Sequence, residues 1–219
     1  MKNPWQKIPL ADYERHMQLP DVGQSSMLSD QFKNLLKSYQ PNSVAVIGCA
    51  GGNGFDEALQ FGVKRIIGID INQDYLDEAK SRYEGKFSEL EIYCSNVEDT
   101  LPYIAPVDII YAALLFEYVD VQKTLANLKR ICKKDGVLAI LLQLPKEGMS
   151  NVSPSPYTSL AQLSSILRLV APSEICKAAT AIGFSLTSVR SITLKSQKEF
   201  SLQIFHLSTS QHPLGCIPA

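Results

Sequence analysis

The 219-residue chain is 45% hydrophobic and 20% charged, an ordinary globular balance with enough apolar mass for one α/β domain and an appendage. Its formal net charge of −1 supplies no broad basic field, which argues against tight, sequence-independent binding to nucleic acid.

In chain order, residues 1–42 read as a helical extension. A helical stretch around Asp12–Met17 is broken at Pro20 and Gly23. A second follows, with Met27, Leu28, Phe32, Leu35 and Leu36 mostly at helical spacing, Ser26 or Ser29 as its cap and Pro41 limiting its end. From Ser43 the pattern changes to short apolar runs alternating with amphipathic helices. The predicted strands are Val44–Ile47, Arg65–Asp70, Leu90–Cys94, Val107–Ala112 and Val137–Leu142. Between them fall a short helix to Phe61 with Gly62 as its left-handed cap, and a helix from Asn72 to about Tyr83. Another helix runs over about Val121–Cys132, closed by Lys133, Lys134 and Gly136. Continuous apolar strands separated by helices signify a parallel sheet covered on both faces. After a polar loop over 145–157 and one or two helices, two strands (about Phe184–Leu194 and Phe200–Leu207) are joined around Ser196-Gln197-Lys198. So short a connection forces an antiparallel pair. Residues 208–219 read as a frayed tail.

Five scattered cysteines (Cys49, Cys94, Cys132, Cys176, Cys216) form no CxxC pair and no metal-ligand spacing. A reducing compartment and no metal are expected. No apolar run reaches the roughly 18 to 20 residues that span a bilayer, and residues 1–5 show no signal-peptide run, so a cytoplasmic protein with no membrane partner is expected.

The main chemical signal is the turn Gly48-Cys49-Ala50-Gly51-Gly52-Asn53-Gly54 after the first strand, coupled to Asp70 at the end of the second. Glycines there let backbone approach a ligand beyond the carboxyl ends of a parallel sheet. An acid about twenty residues on is placed to accept the ribose hydroxyls of an adenosine-like group. The plain alternative is a tight strand-to-helix turn and a helix-start aspartate. No G-x-G-x-x-G spacing occurs, which disfavours a nicotinamide-dependent oxidoreductase.

From Ser43 to Leu207 the chain resembles the class I S-adenosylmethionine-dependent methyltransferases. Val46–Gly54 looks like that family's first motif, and Gly68-Ile69-Asp70-Ile71-Asn72 like its acidic second-strand motif. Ser95-Asn96-Val97-Glu98-Asp99 is similar to the segment that cups adenine. Val107–Ile110 with Phe116–Asp120 resembles the fourth strand and its turn, and Leu128–Ile140 the helix and strand that follow. The resemblance implies a doubly wound, mostly parallel seven-stranded sheet with a C-terminal antiparallel hairpin. It also implies S-adenosylmethionine as cofactor, held by Gly48, Cys49, Ala50, Gly52, Gly54, Asp70, Ile71, Asn96, Val97 and Ala112. Three positions depart from the pattern. Val46 stands where an acid is usual, Ala50 where a second glycine is common, and Asn96 where an acid often faces adenine.

The cofactor carries the hard chemistry, so no universal catalytic residue is expected. No Asp/Asn-Pro-Pro-aromatic motif follows the fourth strand and no Pro-Cys pair is present, which favours a small-molecule acceptor. Candidates for the acceptor side are Tyr13, His16, Glu117, Tyr118 and Tyr157, each weighed against a merely structural aromatic or solvated charge. His206 reads as structural and His212 as tail. Residues 1–42 are expected to act as a lid over a 43–207 core, in a monomer or homodimer. A non-catalytic cofactor-binding protein of the same fold stays open.

Overall fold

A computed structural model describes residues 3–208; the predicted tail, with His212 and Cys216, lies outside them apart from Ser208. A 3-10 turn over Pro4–Lys7 leads into α1 (Leu10–Gln18) and α2 (Gln24–Tyr39). Then follow β1 (Ser43–Ile47), α3 (Phe55–Gln60), β2 (Arg65–Asp70), α4 (Gln73–Tyr83), β3 (Glu89–Cys94) and β4 (Val107–Ala113). The chain continues with α5 (Val121–Arg130), β5 (Cys132–Gln143), a second 3-10 turn (Thr158–Ser165), α6 (Pro172–Ala181), β6 (Phe184–Thr193) and β7 (Glu199–Leu207).

Among the described residues the strands form one seven-stranded sheet, in the order β3-β2-β1-β4-β5-β7-β6. Strands β1 to β5 pair in parallel, while β7 runs antiparallel to both β5 and β6. The doubly wound sheet and the terminal hairpin expected from the sequence are both present. β1 is buried at every residue, because alternate side chains serve two cores. Val44 and Val46 pack with Phe32 and Leu36 of α2 and Phe55 of α3 on one face. Ala45 and Ile47 pack with Leu125 of α5 and Ile175 of α6 on the other. This double burial is why the first strand reads as an unbroken apolar run.

Helix starts follow local chemistry. Asn72 caps α4 by accepting from the Asp74 and Tyr75 N–H groups, and Asp120 caps α5 by accepting from Lys123 N–H. The expected serine cap of α2 is not found. The helix begins after Gly23, at φ +61°, without a side-chain cap. Ser26 bonds back to the Gly23 carbonyl, and Ser29 lies within the helix with its hydroxyl donating to Glu57. The expected end of α5 also needs correcting. The helix stops at Arg130, and Cys132 already pairs with Val107 as the start of β5. Because Ile109 next pairs with Val137, residues 133–136 bulge out opposite Asp108, where Lys133 Nζ meets Asp108 Oδ1 at 2.7 Å. Burial of Cys132 in the core outweighs the helical pattern before it. No helix among the described residues is long and apolar enough to cross a membrane.

Gly68 sits inside β2, a position that ordinarily weakens a strand. A Cβ there would lie 2.9 Å from both Cys49 Sγ and Phe55 Cζ, and 3.1 Å from Ile92 Cδ1. The strand gives up a side chain so that the turn after β1 can pack close. Gly68→Ala is expected to destabilise the fold by about 1–3 kcal/mol through overpacking, read as a lower urea midpoint; an unchanged midpoint would show that these neighbours shift freely.

Candidate functional site

The turn after β1 is built on unusual backbone. Gly48, Gly52 and Gly54 have positive φ, and Ala50 adopts φ +46° in the same left-handed region, which costs an L-residue roughly 1–2 kcal/mol. The N–H groups of Gly48 and Cys49 both point at the Ile69 carbonyl, at 2.8 and 3.3 Å. Ala50 N–H donates to Asp70 Oδ2 at 2.9 Å, and Asn72 N–H to Asp70 Oδ1 at 3.0 Å. Burial pushes the Asp70 carboxyl up, while these backbone donors pull it down by less. Each Asp70 oxygen keeps lone-pair capacity for another donor.

The glycines of the turn serve two different purposes. A Cβ on Gly52 would fall 2.4 Å from the Tyr83 ring, and one on Gly54 would fall 2.9 Å from Phe32. These two make room for the protein's own aromatics. A Cβ on Gly48 would meet only Leu115, at 3.5 Å, and Gly48 faces a cavity.

That cavity, of about 480 Å³, lies beyond the carboxyl ends of β1, β2 and β4, the place where a doubly wound sheet takes its ligand. Of the predicted cofactor residues, Gly48, Ala50, Gly52, Gly54, Asp70, Ile71, Asn96 and Val97 line it, as does Val46. Cys49 and Ala112 do not: both are fully buried. Ala112 packs in the core beneath the site, and Cys49 Sγ lies where a side chain on Gly68 would be. Asn96 Oδ1 accepts from Glu98 N–H within its own turn, at 3.1 Å. Of the acceptor-side candidates, Tyr13, His16, Glu117 and Tyr118 line the same cavity. Tyr157 does not line it; its ring packs on the cluster of Ile8, Leu160 and Leu163.

The N-terminal segment closes one side of the cavity. Asn53 Nδ2 donates to Tyr13 Oη at 2.9 Å, Tyr75 Oη to the Ile8 carbonyl at 2.8 Å, and Asn72 Nδ2 to the Trp5 carbonyl at 2.9 Å. Arg82 bridges Glu14 and the Gly51 carbonyl. Burial raises the Tyr13 hydroxyl to about 12, so it stays protonated. Helix α2 packs on the sheet through Phe32, Leu35 and Leu36 and also lines the cavity with Gln24, Ser25 and Leu28.

Sequence reasoning missed several lining residues. Glu14 and Arg82 meet from opposite ends of the site, a pairing that only the fold creates. Gln143 ends β5, so its place at the carboxyl edge was open to inference. Leu114, also lining, has φ +54°, a second strained non-glycine residue at this edge.

Residues 45–140 match the family of methyltransferase domains. The chain is similar to methyltransferase domains over just under half of its length. It is 28% identical over 108 residues to the ribosomal protein L11 methyltransferase of Dictyoglomus turgidum, a match covering 48% of this chain and 35% of that one. The matched segment thus spans about a third of that relative's length. In fold, the chain resembles N-methyltransferase NodS from Bradyrhizobium japonicum, solved with S-adenosyl-L-homocysteine. The TM-score is 0.67 at 15% identity, over 94% of this chain and 99% of that one. It also resembles the [4+2]-cyclase SpnF, with a TM-score of 0.65 at 12% identity, over 91% of this chain and 96% of that one.

The two purposes of the glycines in this turn predict opposite mutants. Gly52→Ala should cost about 2 kcal/mol or more of stability, from overpacking against the buried Tyr83 and left-handed strain. Gly48→Ala should cost only about 1 kcal/mol yet weaken ligand binding in the cavity. Chemical denaturation and calorimetry separate them, and equal stability losses would contradict the assignment.

Proposed function

We propose that this chain is an S-adenosylmethionine-dependent methyltransferase acting on a small-molecule acceptor. The observation that carries this is the cavity itself, with the glycine turn and Asp70 at one end and Tyr13, His16, Glu117 and Tyr118 around the rest. Its volume of about 480 Å³ falls within the usual range for small-molecule sites, roughly 300 to 1,000 Å³. Asp70 would receive the ribose hydroxyls. Gly48 would admit close approach of the ligand, and Val97 with Asn96 would flank the adenine. Bound S-adenosylmethionine supplies an electrophilic methyl group on a positively charged sulfur; the chain's own residues align the acceptor and keep water out.

The N-terminal segment is proposed to act as a lid. Its Trp5, Tyr13 and His16 line the cavity, while Ser159 Oγ of the second 3-10 turn donates to Asp12 Oδ2 at 2.6 Å. A cavity roofed in this way favours a small acceptor over a protein segment, although the Dictyoglomus relative is named for a protein acceptor. A second reading keeps the cofactor site and changes the reaction, and the cyclase that shares this fold favours it. Screening a metabolite library for S-adenosylhomocysteine release distinguishes the two, since only methyl transfer yields that product.

Cofactor at a hundredfold over its dissociation constant should stabilise the protein by about 2.7 kcal/mol, raising the melting temperature by about 5 to 10 °C. Asp70→Ala should weaken that binding about tenfold to a hundredfold. No shift with S-adenosylmethionine or S-adenosylhomocysteine, beside a clear one with NAD, would sink the reading.

Removal of residues 1–24 tests the lid. The truncated chain should remain folded, bind cofactor more weakly and lose turnover. Full activity after truncation would reduce the segment to packing.

A further inference from the structure

The end of the cavity away from the glycine turn has its own chemistry. Glu117 is only 2% exposed. Its Oε1 accepts from Gln143 N–H at 2.7 Å, and its Oε2 is buried without a partner. A buried acceptor left bare costs about 1–3 kcal/mol, more when charged, so an occupant that donates to Oε2 is implied. His16 Nδ1, reaching the same cavity from α1, is also buried and unpartnered. Burial, with the nearby charge of Lys198, pulls the His16 imidazole down, so at neutral pH it adds no positive charge.

Aromatic rings line the same cavity as Glu117, and Tyr118 lies near enough to feel its charge. The Trp5 ring is perpendicular to Tyr118, with centroids 5.2 Å apart and an angle of 88°, and to Tyr13, at 5.7 Å and 82°. All three line the cavity. The charge balance points the same way. The carboxylates of Glu14, Asp56, Glu57, Asp70, Glu98 and Glu117 line the cavity. Against them stand the Arg82 guanidinium, which already pairs with Glu14 and Glu78, and, near His16, the Lys198 ammonium, which donates to the Asn151 carbonyl. A cleft of one sign draws in the opposite charge. A carboxylate or phosphate acceptor would enter against this field.

We propose that this end of the cavity takes a small organic amine in its ammonium form, held by Glu117 Oε2 and the rings of Trp5 and Tyr118, and methylated on nitrogen. The inference rests on the methyltransferase reading above. An alcohol or thiol can donate to Glu117 but gains nothing from the rings or the field, whereas an ammonium gains from both. In the reaction the ammonium gives one proton to Glu117 Oε2. The freed nitrogen lone pair then forms the N–C bond to the methyl carbon of the sulfonium donor as the C–S bond breaks, its electron pair staying on sulfur. The products are a methylated ammonium, a neutral thioether and a protonated Glu117 that returns its proton to water. Burial raises the Glu117 carboxyl to about 7, suiting it to take a proton near neutral pH.

Calorimetry on the full chain, with and without S-adenosylhomocysteine, tests this with benzylammonium, benzyltrimethylammonium and benzyl alcohol. Both cations should bind at least about tenfold tighter than the alcohol. Glu117→Gln should weaken benzylammonium about tenfold to a hundredfold, and benzyltrimethylammonium, which has no N–H to donate, by less, while S-adenosylhomocysteine binding persists. Trp5→Leu, on a 3-10 turn outside the sheet, should weaken them severalfold and gives a second reading if the Gln variant fails to fold. Alcohol binding equal to that of the amine, no cation binding, or cation affinity unchanged in a folded variant would overturn the proposal. Loss of S-adenosylhomocysteine binding by the native chain would instead count against the methyltransferase reading, with the preference for cations still measured by the cations alone.

Discussion

The Asp70 carboxylate holds two backbone N–H groups at once, that of Ala50 in the turn after β1 and that of Asn72 at the start of α4. Asn72 in turn caps α4 through its side-chain oxygen and gives its side-chain N–H to the Trp5 carbonyl. One chain of hydrogen bonds therefore links the glycine turn, the end of β2, a helix start and the N-terminal segment. Hydrogen bonds to a charged acceptor are stronger than neutral ones, and these lie where bulk water is partly excluded. The cavity keeps its shape because its rim is tied at this carboxylate. Loss of that group would loosen both the turn and the N-terminal segment.

The same junction explains how glycine is used. Strand β2 brings Gly68 beneath the turn, and the missing side chain leaves room for Cys49 and Phe55. Phe55 meets the Tyr83 ring edge-on at 5.1 Å, and Tyr83 fills the space left by Gly52. Close packing thus runs from the sheet through α3 and α4 to the underside of the turn. Only the cavity side, at Gly48, is left open. Ala50, where a glycine is common in this family, keeps the left-handed conformation that glycine would adopt without strain. Its N–H bond to Asp70 compensates part of that cost, so the departure from the motif preserves the shape of the turn.

The strands were legible because double burial writes an unbroken apolar run into each of β1, β2, β4 and β5, and the hairpin because its connection is too short for a crossover. Helix ends were less legible. The pattern over residues 121–132 continues past Arg130 only because Cys132 is apolar for a different reason, its place in β5. Gly23 begins α2 by backbone conformation, which no serine nearby reveals. At the site, residues on the turn and strand ends were readable from spacing along the chain. The acid–base pairing of Glu14 with Arg82 and the contact of Tyr13 with Asn53 join segments that lie 68 and 40 residues apart, a separation that local pattern does not record. Cys49, Ala112 and Tyr157 sit in or beside readable motifs but face elsewhere, because a motif gives position along the backbone and not the direction of each side chain.

The two proposed ligands meet the same field, and this bears on why the described N-terminal residues that line the cavity, among them Trp5, Tyr13 and His16, include no lysine or arginine. A sulfonium and an ammonium side by side repel each other, by an amount that grows as water is excluded. Carboxylates around the cavity offset that repulsion, and in the proposed reaction Glu117 would remove it by taking the acceptor's proton. A lysine or arginine in the lid would add a third positive charge. Tyr13, Trp5 and a neutral His16 instead exclude water while leaving the negative potential intact. Arg82, the one cation on the lining, is held at the rim by Glu14 and Glu78, so that its charge secures the closed segment with little effect on the reacting groups. Closure and charge selection are then one arrangement: the contacts that dry the cavity also keep its field suited to a positively charged acceptor.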